Sequence, residues 1–252
     1  MPERPAATEP DPPPPPLPAD RSATASRPAR SPFDMSLAEV LDPRDSIRFY
    51  GNSDRRSYRG RDLTIFREGD SCDRLYEVIS GLIRLARTAS DGRRQVVRYV
   101  PPGGLFDLVP VLDGGAHAVT ATTVEPAEVL RIPREDVLRV VADSPAAGAV
   151  LARMLAAQLR DTVGLVADLA LYHVPARVAR ILLQGETPHA GVGAGIPTVG
   201  TTRRELAENA GTSREVVGRF LRALEASGIV RSEDGHIRIL DADRLRNVAE
   251  FR

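Results

Sequence analysis

The spacing of apolar positions changes twice along this chain. Between residues 63 and 133 they come in short runs: Leu63-Thr-Ile-Phe66, Leu75-Tyr-Glu-Val-Ile79, Leu82-Ile-Arg-Leu-Ala86, Val96-Val-Arg-Tyr-Val100, Val119 to Thr123 and Glu128 to Ile132. Enrichment in β-branched and aromatic residues predicts strands. Glycines at 69, 81, 92 and 103 punctuate the runs, and Asp91-Gly92 is a hairpin signal. Many short strands with frequent turns predict a sandwich or roll. From about Pro145 to Tyr172 the period becomes helical. Gly148, Ala152, Leu155, Leu159, Thr162, Val166, Leu169 and His173 recur at alternating four- and three-residue steps, the seam of a coiled coil, with Thr162 its polar member. Pro175 ends this helix, because proline removes a donor and clashes with the preceding turn. It then opens the next helix, to about Gln184, with His173-Val174 as the hinge.

A third pattern follows at Thr202-Arg-Arg-Glu-Leu-Ala-Glu-Asn-Ala-Gly-Thr-Ser213-Arg-Glu-Val-Val-Gly-Arg219-Phe-Leu-Arg-Ala-Leu. Thr202 with Glu205 makes a capping box, Gly211 suits a sharp turn, and Ser213 caps a second helix. On that helix Val217, Phe220, Leu221 and Leu224 form one apolar stripe. Arg214, Glu215, Gly218 and Arg219 fall on another face. Arginine donates two hydrogen bonds to guanine in the major groove, glutamate accepts from cytosine, and glycine permits close approach. Cap, turn, stripe and reading face all fit a helix-turn-helix. Downstream, Ile229-Val-Arg and His236-Ile-Arg-Ile-Leu240 flank Asp234-Gly235 as a β-hairpin wing.

Ser213 to Arg219 match the recognition-helix pattern Ser-Arg-Glu-x-Val-Gly-Arg of the CRP/FNR family of bacterial transcription regulators, and the chain resembles that family here. Glu68-Gly-Asp, Val78-x-x-Gly81, Asp91-Gly92 and Pro102-Gly103 likewise look like the structural glycines of its cyclic-nucleotide-binding jelly roll. The two resemblances cover roughly Leu63 to Leu240. They imply an α+β chain with an N-terminal β jelly roll, a long dimerisation helix and a C-terminal winged helix-turn-helix. Expected domains are 36–143 for the effector domain, 144–173 for the dimerisation helix and 174–252 for the DNA-binding domain. The expected DNA-binding residues are Thr202, Arg203, Ser213, Arg214, Glu215, Gly218 and Arg219, with Arg214, Glu215 and Arg219 reading a TGTGA-like half-site. Leu155, Leu159, Thr162, Val166 and Leu169 form the expected dimer seam. Asn209 and Ala210 replace the family's usual apolar pair, and Val216 replaces a small polar residue. RNA polymerase is a further partner by resemblance.

The phosphate cassette departs from the family. In cAMP binders a glutamate holds the ribose and an Arg-Ser pair holds the cyclic phosphate, since a partly buried anion needs cationic, hydrogen-bonding partners. Here those positions fall near Asp107-Leu108 and His117-Ala118, and no arginine lies between Arg98 and Arg131. The effector is therefore expected not to be cAMP. Candidate pocket residues are Asp107, Leu108, His117, Ala118, Thr162 and Val163. A Thr-Ser pair of cyclic-nucleotide binders reads here as Thr162-Val163. His117 is a candidate haem ligand, which makes a haem-based gas or redox sensor the alternative. With one cysteine, Cys72, the chain cannot build the family's iron–sulfur centre.

Composition narrows the picture. The 252 residues carry 34 basic and 34 acidic side chains, so there is no global basic field for nucleic acid. Thr201 to Arg231 holds six arginines against four glutamates, so the positive excess is local. Met1 to about Pro32 has eleven prolines and reads, to residue 35, as a disordered tail. Gly185 to Gly195 reads as a loop. There is no signal-peptide core, no run of ~20 apolar residues and no disulfide framework, which predicts a cytoplasmic protein with no membrane partner. No Ser/His/Asp constellation, metal-ligand cluster or phosphate-cradling loop is visible, so no enzyme is expected.

Overall fold

The computed structural model describes residues 41–186, 202–233 and 236–250. The expected tail, the loop after Glu186 and the Asp234-Gly235 turn lie outside them. Helix α1 (Pro43–Tyr50) begins at Asp42, whose carboxylate accepts from the Arg44 amide at 2.9 Å. Eight strands follow: β1 (Asp54–Tyr58), β2 (Thr64–Phe66), β3 (Arg74–Ser80), β4 (Ile83–Thr88), β5 (Arg94–Val100), β6 (Leu105–Phe106), β7 (Thr120–Thr123) and β8 (Ala127–Pro133). They form two antiparallel four-stranded sheets, in the orders β1-β8-β3-β6 and β2-β7-β4-β5. Phe66, Val78, Ile83, Leu85, Val100, Phe106, Ala121 and Val129 fill the space between the sheets. Phe106 is 1% exposed, so its truncation to alanine would cost about 3–5 kcal/mol. Gly81 is required at the β3–β4 turn. Its φ is +81°, and an added Cβ would stand 2.4 Å from the Pro126 carbonyl oxygen.

The strand expectations hold to within a few residues, but several elements escaped the pattern. Strand β1, Asp-Arg-Arg-Ser-Tyr, is a polar sheet edge with no apolar alternation. It is fixed by pairing Asp54 to Tyr58 with Arg131 to Ala127. Between the two cassette positions lies helix α2 (Leu108–Asp113), closed by Gly114 in the left-handed region. Helix α3 (Arg134–Asp143) leads into the long helix α4 (Pro145–Leu171). Ser144 caps α4, accepting from the Ala147 amide at 3.3 Å, and Pro145 stands in its first turn. At 1.5 Å per residue, its 27 residues span about 40 Å. The first half packs on Phe49, Leu75, Ile132, Val137 and Val140 through Ala147, Leu151 and Met154.

The chain then breaks for two residues before α5 (Val174–Glu186). The remaining elements are α6 (Arg203–Ala210), α7 (Arg214–Ala226), β9 (Val230–Glu233), β10 (His236–Ile239) and α8 (Ala242–Glu250). Strands β9 and β10 pair antiparallel, Val230 opposite Ile239, as the expected wing. Val178, Ala179, Leu206, Val217, Leu221, Leu224 and Leu245 form a separate core. Among the described residues no single helix is long and apolar enough to cross a membrane.

Candidate nucleic-acid interface and effector cavity

The helix-turn-helix is built from local chemistry. Thr202 accepts from the Glu205 amide at 3.2 Å, and Glu205 accepts from the Thr202 amide at 2.7 Å, completing the capping box. Gly211, at φ +62°, turns the chain, and Ser213 accepts from the Val216 amide at 3.4 Å to start α7. Val217, Leu221 and Leu224 are buried, while Arg214, Glu215 and Arg219 are exposed on the other side of α7. The Ser213 hydroxyl, the backbone of the helix start and Arg214 hold the Glu215 carboxyl below its ordinary pKa, so it is an acceptor at neutral pH. Gly218 sits beside these side chains. An added Cβ there would meet only the end of Arg222, at 3.7 Å. Nothing in the fold itself therefore demands a glycine at 218.

Helix α6 also docks on the β-roll, which the sequence did not reveal. Arg84, in the middle of β4, is 2% exposed. Its guanidinium lies 2.5 Å from Asp62 and 3.4 Å from Glu208 of α6. Arg204 of α6 reaches back to Asp62 at 3.1 Å, and Arg94 of β5 approaches Glu208 at 3.7 Å. Asn209 donates to the Tyr99 hydroxyl at 3.0 Å, and Gln95 donates to the Asn209 carbonyl at 3.3 Å. The polar residue at 209, a departure from the family pattern, thus has a partner in the neighbouring domain. Arg177 of α5 bonds the carbonyls of Leu169 and Tyr172 at the end of α4 and of Ala210 beside the helix-turn-helix turn. One guanidinium therefore ties the hinge to the DNA-binding domain.

A cavity of about 450 Å³ lies where these parts meet. Its apolar wall includes Leu85, Leu108, Leu165 and Ile181, and its polar lining includes Arg98, Asp161, Thr162, Arg177 and Asn209. The size suits a small molecule. Of the candidate pocket residues, Asp107, Leu108, Ala118 and Thr162 line it. Two expected members do not. Val163 points to solvent at 59% exposure, one helical step of about 100° from Thr162. His117 is turned inward, 5% exposed, with its ring stacked 3.8 Å from that of Phe66. Alternation at the entry to β7 sends Ala118 toward the cavity and His117 toward the interior. Arg98, the last arginine before the arginine-free stretch, lines the cavity from β5 and donates to the Leu105 carbonyl.

The buried face of His117 brings three side chains together. Its Nδ1 lies 2.5 Å from Asp107 Oδ2, and Cys72 Sγ lies 3.1 Å from the same oxygen. Burial, reinforced by the adjacent carboxylate, pushes the Cys72 thiol up to about 12. Burial raises Asp107 as well, against the opposing pull of Cys72 and His117. A haem does not fit the described residues here. An axial histidine must present an open nitrogen to a large flat ligand. This ring is stacked, buried and off the cavity lining. No local spacing marks the triad, which the fold gathers from three separated parts of the chain.

The exposed side of α4 carries Ala152, Ala156, Leu159, Val163, Val166 and Ala170. Leu159 and Val166 are 64% and 58% exposed, as a seam requires. The other expected seam residues lie elsewhere. Leu155 packs partly on the domain core, Leu169 approaches Gly211, and Thr162 faces the cavity.

Residues 56–144 match the cyclic nucleotide-binding domain, and residues 176–248 match the Crp-like helix-turn-helix domain. A CRP-like cAMP-activated global transcriptional regulator of Mycobacterium tuberculosis is 34% identical over 73% of this chain and 84% of its own. The chain belongs to the CRP family of transcriptional regulators. The cyclic AMP receptor protein of Thermus thermophilus is 36% identical over 73% of this chain and 83% of that one. Among solved structures, the c-di-GMP-responsive global regulator CLP of Xanthomonas campestris superposes with a TM-score of 0.68 at 27% identity, covering 79% of this chain and 99% of CLP. The CRP-family assignment explains the pairing of a β-roll with a winged helix-turn-helix through one long helix.

Proposed function

We propose that this CRP-family regulator acts in the cytoplasm as a homodimer on a TGTGA-like palindrome, under control of an effector other than cAMP. The observation that carries the DNA reading is the exposed cluster Arg214, Glu215 and Arg219 beside Gly218 at the start of a capped helix. Two arginines and an ionised glutamate offer donors for guanine and an acceptor for cytosine. Thr202, Arg203 and Ser213, at the starts of α6 and α7, are placed for phosphate contacts. Two chains would pair along the exposed stripe of α4 and set two reading helices about one turn of DNA apart. The chain would then divide into an effector domain to residue 143, a dimerisation helix to 173 and a DNA-binding domain beyond.

The effector would bind the 450 Å³ cavity. Because α2, α4, α5 and Asn209 all line it, a ligand there touches both sides of the hinge and would shift the population of domain arrangements. The argument against cAMP rests on the cassette. His117 replaces the expected arginine and turns away from the cavity, and Ala118 replaces the serine. Relatives named for cAMP make a direct comparison necessary. Fluorescence anisotropy of a labelled TGTGA–TCACA duplex, with and without cAMP at fixed salt, provides it. Tight binding that cAMP leaves unchanged is expected, and binding that appears only with cAMP would overturn the effector reading. In the same assay Arg214→Ala should lose about 1–3 kcal/mol, roughly 5- to 150-fold, against the cognate site. Wild-type affinity in that variant would overturn the base-contact assignment.

A further inference from the structure

Cys72, Asp107 and His117 come from three separated parts of the β-roll, and one ligating atom of each lies within 4.8 Å of the other two. The backbone brings them together. Residues 69–72 and 116–117 run side by side, with the Gly69 amide donating to the His117 carbonyl at 2.9 Å and the His117 amide donating to the Asp70 carbonyl at 3.0 Å. An isolated antiparallel bridge joins Ser71 to Ala116. Asp107 completes the group from the start of α2. Its side chain is 2% exposed and makes no cap with the α2 amides, although aspartate ordinarily serves there.

The decisive group is His117. Its side chain is 4% exposed, and its Nδ1 makes no aligned hydrogen bond even though Asp107 Oδ2 stands 2.5 Å away. Asp107 and His117 thus form one buried polar pair. The ring nitrogen is aimed at a carboxylate oxygen and a thiol that converge on the same space. Nitrogen, sulfur and oxygen donors in one small, largely buried group suit a borderline-soft divalent ion, whereas calcium and magnesium favour oxygen alone.

We propose that Cys72, Asp107 and His117 bind one divalent transition-metal ion of the zinc type, in the wall of the β-roll behind the effector cavity. Zinc takes four ligands in a tetrahedron. Three come from these side chains and the fourth from water or another exogenous donor. Loading displaces two protons: the Cys72 S–H bond breaks and its proton leaves to solvent, the proton held between His117 Nδ1 and Asp107 Oδ2 leaves likewise, and the thiolate, the freed Nδ1 and the carboxylate bond the metal. No electron transfer is involved. Because Asp107 also lines the cavity, the ion would fix the start of α2 in the cavity wall. The assignment is independent of the DNA-binding reading.

The test is a titration of chelator-treated full-length protein with Co²⁺, a spectroscopic substitute for Zn²⁺. The expected result is one ion per chain, a near-ultraviolet thiolate-to-cobalt band with visible bands of tetrahedral strength, and displacement of both by Zn²⁺. Cys72→Ser should abolish the charge-transfer band, and His117→Gln should weaken binding more than about 100-fold, beyond the usual effect of losing a supporting residue. Wild-type protein alone also decides the matter. Zn²⁺ should shield Cys72 from alkylation by iodoacetamide, measured by mass spectrometry. Absence of stoichiometric Co²⁺ binding would overturn the site and leave a structural His–Asp pair. A charge-transfer band that persists in Cys72→Ser would overturn the ligand assignment.

Discussion

Asn209 in the first helix of the helix-turn-helix donates a 3.0 Å hydrogen bond to the Tyr99 hydroxyl of the β-roll. Burial raises the Tyr99 pKa above its ordinary value while the bond from Asn209 pulls against it, so the phenol is protonated throughout the physiological range. The Asn209 amide also donates to the Glu205 carbonyl at 2.7 Å, so losing Tyr99 would not strip it bare. Tyr99→Phe should therefore cost an ordinary hydrogen bond, about 0.5–1.5 kcal/mol. The thermal midpoint should fall by about 2–4 °C per kcal/mol for a chain of this size. An unchanged midpoint in scanning calorimetry would show that the docked arrangement is not the populated one.

Acid should loosen the same interface, through Asp62. Partial burial pushes its carboxyl up, but hydrogen bonds from Arg84 and Arg204 outweigh that and hold its pKa below the ordinary value. A carboxyl with a depressed folded pKa contributes its full stabilisation above the unfolded value of about 3.9. That contribution is lost as pH falls through the lower, folded value. The stability gap between wild type and Asp62→Asn should be constant from pH 8 to about 5 and close below about 4, as followed by thermal melts across pH. A gap that changed most between pH 6 and 8 would place control of the interface in another group.

What the sequence disclosed divides by range. Thr202, Glu205, Gly211 and Ser213 act within three or four residues of themselves, so the capping box, turn and second cap were legible one by one. The strands of the roll were legible where apolar residues cluster, as at Val96, Val97, Tyr99 and Val100 of β5, and not where the edge is polar, as in β1. Arg84 looked like a charge interrupting Leu82-Ile-Arg-Leu-Ala86, because its partners Asp62 and Glu208 lie far away in the chain. The cassette positions of His117 and Ala118 came from the family resemblance. The side on which each lands was not legible, since that is fixed by pairing of residues 69–71 with 116–117.

Gly218 separates the requirements of folding from those of DNA binding. It lies within α7, and a methyl group there would make only ordinary contact with Arg222. Removing a glycine from a helix interior should stabilise the fold by up to about 0.8–1.0 kcal/mol. The same methyl would lie on the helix face of Arg214 and Arg219 that is proposed to enter the major groove. Gly218→Ala should thus melt no lower than wild type yet bind the palindrome at least about tenfold more weakly, a loss of about 1.4 kcal/mol. Wild-type affinity would mean that this face does not approach the DNA closely.

If two chains pair along α4, the register of that contact follows from which side chains the helix leaves uncovered. The four-three spacing in the sequence is satisfied equally by Leu155, Leu159, Thr162, Val166 and Leu169 and by Ala156, Leu159, Val163, Val166 and Ala170, since the two rows differ by a rotation of one residue at three places. Packing separates them. Val163 is 59% exposed, whereas Leu155 is packed partly against the domain core; Thr162 is exposed too, but it borders the cavity and its hydroxyl is bonded to the Gln158 carbonyl at 2.9 Å. An aspartate at 163 would stand in the apolar contact between two helices, where an unpaired charge is strongly unfavourable. It would cost the isolated chain little, because the position is open to water. Val163→Asp should therefore shift the protein to monomer in sedimentation velocity with its melting curve nearly intact, and Thr162→Ala should leave the dimer in place. A dimer that survives Val163→Asp and fails with Thr162→Ala would restore the other row as the seam.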